Sequence, residues 1–468
     1  MTKRTRLIIL LICFVLFFTI TPWIVLYSLG YKIDFKNGCI IATGGIYIRT
    51  EPSGTEVTID SKIDKKTSFF SNSVFVQNLT PELHNIIIKK PEYFNYYKNI
   101  IVKENEVTKI ENITLFKNSI SFNKIMGNID YSKTSIDDKY IFAVITNNKI
   151  STLSILDLSN LQLKNETIWP IKNGEILEAK WSDDSSKILL ITKNNYYIFE
   201  PFLEKQKIIL LPFSNTFKEV MFNPQNSNEI FAIRNNNLEY LNLLNLIKTP
   251  TIASKIIIKE ILTYKIENNN IIYLAFDGNL NKSDISGKNT EIITSFPILT
   301  DKNSSHKIFV NNFGIFILKN KDLLLLNSRT KAFDFFLADV NELKLSPDNQ
   351  NIFFITNDNE VLLNHSNYEY IQGQPQITQK ILLNKFYEKI SDCFWINNNY
   401  LILKADDKIK ISEIDNRQNI NIIDLPNKFM FEGKLYPIEN FQMYFNSQNK
   451  QIYILTNKNL IYSDRLLP

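Results

Sequence analysis

Cysteine, histidine and glycine are scarce in this chain of 468 residues, at 3, 3 and 12. The cysteines, Cys13, Cys39 and Cys393, have no CxxC-type spacing for zinc. Cys13 lies inside an apolar run, and Cys39 and Cys393 are too far apart in sequence for spacing to support a disulfide. His84, His306 and His365 fall in three separate segments, so no Ser-His-Asp or Cys-His arrangement is readable, and each is expected at a surface or an edge. GxGxxG and GxxxxGK[ST] are missing, which leaves nucleotide binding without local support. Calcium needs six to eight oxygens, and no DxDxDG-type loop supplies them. Asp137-Asp138 and Asp183-Asp184 are therefore expected as turn formers. With 12 Gly and 15 Pro the chain is neither collagen-like nor linker-like. Its net charge of +5 comes from 53 basic and 48 acidic residues interspersed throughout, with no basic block among aromatics, so nucleic acid is not an expected partner. These absences leave no catalytic residue, no metal and no cofactor to assign, and binding residues unknown.

What the chain does hold is apolar material, 44% hydrophobic and 12% aromatic, enough for more than one packed core at this length. It is also rich in Asn, Lys and Ile.

The N-terminus carries the strongest signal. Lys3, Arg4 and Arg6 precede an uncharged run from Leu7 to Tyr31. Residues 7–29, at about 1.5 Å each, give roughly 34 Å of helix, enough to cross a bilayer. Trp23, Tyr27 and Tyr31 stand where an interfacial aromatic belt would. A cleaved secretory signal is the competing reading. It fits less well, because no Ala appears before Ala42 to form a small-x-small site. The expectation is a cytoplasmic stub (1–6), an uncleaved transmembrane signal anchor (7–29), a linker (30–44) and everything later outside the membrane.

Next comes "GGIYIRTEPSGTEVTID", Gly44 to Asp60, where a Pro52–Gly54 turn separates two alternating runs. Further short runs at Ser73–Gln77, His84–Lys90, Asn95–Lys103 and Glu106–Leu115 point to a compact antiparallel sandwich. The stretch "YIRTEPSGTEVTID" resembles the signature of the PEGA domain, a small β-sandwich. "LTPELHNIIIKKPEYFNYYKNIIV" resembles that family's second half, with Glu82-Leu83 and Pro91-Glu92 where glycines are usual. The resemblance covers 45–116. It implies a bacterial cell-envelope setting and brings no catalytic residues with it.

Beyond Lys117 the sequence repeats. "AKWSDDSSKILLITKNNYYIFEP" at Ala179 and "LKLSPDNQNIFFITNDNEVLL" at Leu343 are clear copies, as are those at Val220 and Met443. Weaker copies begin at Thr134, Tyr264, Ile308 and Cys393. Spacings on the order of 35–50 residues are those of four-stranded propeller blades. The "WSDDSSK" and "LSPDNQN" turns resemble those of WD40-like and TolB-like propellers, with Ser186 or Asn349 in place of the turn glycine. Asn tolerates φ > 0 at modest cost. Trp169, Trp181 and Trp395 are expected between blades rather than as sugar platforms.

The expected fold is all-β outside the membrane: one helix, a PEGA-like sandwich (45–116) and a propeller (120–468) of about eight blades, or alternatively seven. The expected function is non-catalytic binding or scaffolding in the cell envelope, with the bilayer and an envelope protein or polysaccharide as partners. A hydrolase with its site in the propeller funnel is the alternative. Three or more carboxylates, or a His beside a Ser, at the funnel mouth would favour it, whereas an Asn- and aromatic-lined funnel would favour binding.

Overall fold

The computed structural model describes residues 3–34, 38–147, 150–212, 214–248, 254–300, 304–358, 360–365, 369–371, 374–376, 381–385 and 388–467. Residues 1–2 of the expected stub and 35–37 of the expected linker lie outside these, as does the side chain of His365. The described chain forms two compact units. One takes in 1–120, 410–425 and 465–468, and the other 121–409 and 426–464.

The first unit opens with a helix, Lys3–Ser28, that runs through Pro22. Its stretch Thr5–Ser28 has a mean hydropathy of 2.7, is long enough to span a membrane, and has none of its apolar window covered by protein. Within the expected linker, Tyr31–Asp34 pairs antiparallel with Cys39–Ala42. Beside this pair the Thr43 amide and hydroxyl both donate to Gly30 O, at 2.7 and 2.6 Å. The first sandwich strand, Gly44–Glu51, therefore starts beside the helix terminus.

That strand lies between Ser73–Leu79 and Val107–Thr114 in a three-stranded sheet. Opposite is a four-stranded sheet in the order Ile63–Lys66, Glu56–Ile59, Leu83–Lys89 and Tyr96–Ile101. Alternate residues of both sheets, among them Ile46, Ile48, Val57, Ile59, Ile86 and Ile110, close a single core. The sandwich is not wholly antiparallel as expected, because Gly44–Glu51 and Val107–Thr114 pair in parallel. Gly44 is required by close approach: a Cβ there would lie 2.3 Å from Lys103 O and 2.5 Å from Val102 Cγ1.

The second unit is a β-propeller. Its sheets follow one another as up-and-down antiparallel meanders at residues 129–169, 176–210, 217–258, 261–292, 306–337, 340–385, 390–409 and 442–463. Each of the eight sequence copies falls on one of these sheets. The last sheet is completed from the start of the unit, where Phe122–Met126 pairs antiparallel with Asn459–Ser463. The Ser121 amide and hydroxyl bind Asp464 Oδ2 at 2.8 and 2.7 Å and lock that seam. Apolar clusters join successive sheets face to face. Phe142 and Leu153 pack with Ile188 and Leu190, and Leu189 and Ile198 pack with Val220 and Ile230. The last sheet meets the first where Tyr453 and Leu460 pack with Ile129 and Ile141. The ring is therefore closed by strand exchange at one seam and by side-chain packing at the next.

The turn glycines are replaced by residues that accept φ > 0. Asn349 has φ +56°, as expected, but in the other copy Ser185 (φ +55°) fills the position and Ser186 does not. The Ser186 amide instead donates to Asp184 Oδ1 at 3.0 Å, as the Gln350 amide does to Asp348 Oδ1 at 3.0 Å.

Candidate functional site

In a propeller the first strand of each blade faces the central channel. Here those strands carry both signs of charge. Glu178 pairs with Lys180 at 3.6 Å, and Lys344 reaches Asp392 at 2.9 Å and Glu342 at 3.7 Å. Glu219 differs: its nearest polar partner is the Thr263 hydroxyl, which donates at 3.3 Å. Burial drives the Glu219 carboxyl up to about 7, and the hydrogen bond and the Lys180 and Lys307 charges only partly oppose it.

Glu219 lies on the wall of a cavity of about 750 Å³ shared by the third, fourth and fifth sheets. Lys218, next to it on the same strand, and Lys307, on the fifth sheet, line the same cavity. His306 enters from the first strand of the fifth sheet and Ser304 and Ser305 from the segment just before it, and Asn236 and Asn320 enter from tight turns at φ +61° and +56°. Asn320 is held by the chain itself, its Oδ1 accepting from Ser305 N at 3.0 Å. Phe276, Leu262 and Leu318 form the apolar wall. The arrangement offers directional donors, two ammonium groups and one flat apolar surface. It can hold a ligand of mixed polarity.

His84 is not at an edge: it is 2% exposed, with Nδ1 2.6 Å from Asp60 Oδ2 and Nε2 2.7 Å from Thr80 O. His306 lines the cavity. Trp169, Trp181 and Trp395 are buried, and Trp181 and Trp395 donate to Lys133 O and Lys344 O of neighbouring first strands. All three cysteines are free, with Cys393 buried and Cys39 exposed. Among the described residues no group of three His, Cys, Asp or Glu is placed to hold a metal ion. Asp184 does more than form its own turn. Burial raises its carboxyl, but bonds from Ser182, Ser186 and Ser227 outweigh that and bring it to about 2, and Ser227 belongs to the next sheet.

The module beside the helix is placed by comparison as well as by geometry. Its opening stretch forms two strands joined by the Pro52–Gly54 turn, and its two sheets share one core. Residues 43–117 match the PEGA domain. The match names this module and not the whole chain. The outer strand of the PEGA module, Tyr96–Ile101, receives residues 410–425 of the same compact unit. Asn421 Oδ1 accepts from Tyr97 N at 3.0 Å, both Asn419 and Asn421 donate to Tyr97 O at 2.7 Å, and Asn419 Oδ1 accepts from Asn99 N at 2.8 Å. Side-chain amides thus fill a strand edge that would otherwise be open. Under them Lys98, with 0% side-chain exposure, donates to Glu413 Oε1, Asp415 O and Asn419 O at 2.6–2.7 Å. Tyr96 donates to the other Glu413 oxygen at 2.9 Å.

No curated protein sequence matches this chain. Among solved structures it is similar to the Cps50 (Swd1) β-propeller domain of Myceliophteria thermophila, at 11% identity over 74% of this chain and 99% of that one, with a TM-score of 0.41. It is similar to the computationally designed Ika8 protein at 12% identity over 74% and 98%, TM-score 0.47. It is also similar to BamB from Moraxella catarrhalis at 9% identity over 74% and 99%, TM-score 0.43.

Proposed function

We propose that the chain is a single-pass cell-envelope protein whose helix holds the PEGA module and propeller outside the membrane, where the propeller binds or scaffolds without catalysis. Its N-terminus is cytoplasmic, its propeller ring has eight blades, and its partner is an envelope protein or polysaccharide. One observation carries the anchoring: a 24-residue apolar helix with no protein cover is tied by the Gly30–Thr43 bonds to the first strand of a folded module. The basic residues Lys3, Arg4 and Arg6 support the orientation, since a cytoplasmic excess of Lys and Arg sets it.

Carbonate extraction tests the anchor. Full-length protein is expected to stay in the membrane fraction through high salt and carbonate, with an intact N-terminus by mass spectrometry. Recovery of a soluble chain beginning near Ala42 would overturn the uncleaved anchor. The cavity also favours a second reading, a hydrolase, because a carboxyl with a pKa of about 7 shares it with His306 and two serines. Glu219→Gln separates the two readings, since it should abolish any hydrolysis while leaving the ligand bound.

A further inference from the structure

We propose that the cavity between the third, fourth and fifth propeller sheets binds an acidic saccharide, a sugar ring bearing a carboxylate. The inference deepens the binding role proposed above and rests on it. Three features of the wall select this class. Ser304 and Ser305, with Asn236 and Asn320 held at tight turns, present short, directional hydrogen-bonding groups suited to ring hydroxyls. Phe276 and the aliphatic wall beside it offer a flat apolar face for the C–H side of a ring. Lys218 and Lys307, both with exposed side chains, supply positive charge where a carboxylate would sit.

Glu219 decides how the anion is accepted. The groups acting on it are Lys180 and Tyr196 from the second sheet, Thr263 and Tyr264 from the fourth, and Lys307 from the fifth, while Lys218 and His306 line the same cavity. An ionised carboxylate there would cancel one lysine and repel the ligand. A protonated one removes the repulsion and donates a hydrogen bond to a sugar oxygen. Burial holds the carboxyl near neutrality, so protonation follows pH in the ordinary range. The sign is fixed: ligand binding favours the protonated form, so affinity falls as pH rises through 7. With Glu219 as the linked group, the fall from pH 6 to pH 8 is about tenfold.

The test is calorimetric titration of the full chain in detergent micelles with a glucuronic-acid-containing tetrasaccharide and its neutral glucose counterpart. The acidic probe is expected to bind at least tenfold more tightly than the neutral one at pH 6, and about tenfold more weakly at pH 8. Lys307→Ala should remove most of the preference for the acidic probe. Glu219→Gln, which keeps the shape and stays neutral, should bind at pH 8 as wild type does at pH 6. An imidazole also gains charge on acidification, so pH dependence persisting in Glu219→Gln and vanishing in His306→Gln would overturn the role of Glu219. Equal binding of the two probes, or no binding of either at millimolar concentration while circular dichroism shows the fold intact, would overturn the site.

Discussion

Lys98→Met is expected to destabilise the first unit by about 3–5 kcal/mol, because it leaves Glu413 buried without its cation. Glu413 has 4% of its side chain exposed, and its Oε1 accepts from Lys98 as well as from the Asn421 amide. The Tyr96 and Asn421 bonds that remain are neutral and do not replace the lost cation. The conserved-shape double variant, Lys98→Met with Glu413→Gln, removes both charges and should recover much of the loss. Urea unfolding of the full chain in detergent measures both, followed by tryptophan-independent far-ultraviolet circular dichroism. A single-variant loss below about 1 kcal/mol, or no recovery in the double variant, would show that the pair is not coupled in the folded protein.

The other large effect concerns the blade cores. Leu189 and Phe353 lie on the second strands of their sheets at equivalent register, opposite Lys180 and Lys344 of the first strands, and are 1% and 0% exposed. Leu189 packs toward Val220 and Ile230 of the next sheet, and Phe353 meets the Trp395 ring 5.7 Å away. An aspartate at either position is buried without a partner, a cost of several kcal/mol against a typical total of about 5–15. Leu189→Asp and Phe353→Asp should therefore yield insoluble or unfolded protein. Leu177→Asp is the matched control from the same sheet: Leu177 is 58% exposed, so a change of under about 0.5 kcal/mol is expected. Equal tolerance of Leu189→Asp and Leu177→Asp would remove the basis for equating the repeats.

Elements with a local signal were legible in the sequence, and those made by long-range contacts were not. The helix was legible because its signal is local, an uncharged run with basic residues on one flank. The blade strands were legible because "ILLI" and "IFFI" follow polar turns whose chemistry is also local. The strand Ile63–Lys66 was not, since "IDKK" has no alternating pattern and joins the sheet through its backbone with three exposed side chains. Nor was the parallel pairing of Gly44–Glu51 with Val107–Thr114, which depends on two segments meeting across the module.

The buried Lys98 did leave a trace. It shares parity with Tyr96 and Ile100 on one face of a strand whose intervening residues Tyr97 and Ile101 are exposed, so period two already placed a lysine among buried neighbours. What the sequence does not reveal is its partner, because "EIDNRQNIN" at Glu413 reads as an ordinary polar turn more than 300 residues away. The cavity was hidden for a related reason. Glu219, Asn236, Ser304 and Asn320 come from separate turns and strands, each unremarkable alone, and only the ring brings them to one wall.

The chain carries its own reporter for the central claim, that everything after the helix lies outside the membrane. Cys39 is exposed just beyond the helix, Cys393 is buried in a blade, and Cys13 lies within the apolar span. A membrane-impermeant maleimide applied to intact cells producing the full chain should therefore label one site, and Cys39→Ser should abolish the signal. Labelling of Cys39 that appears only after the cells are lysed would place the PEGA module and the propeller on the cytoplasmic side and contradict the account.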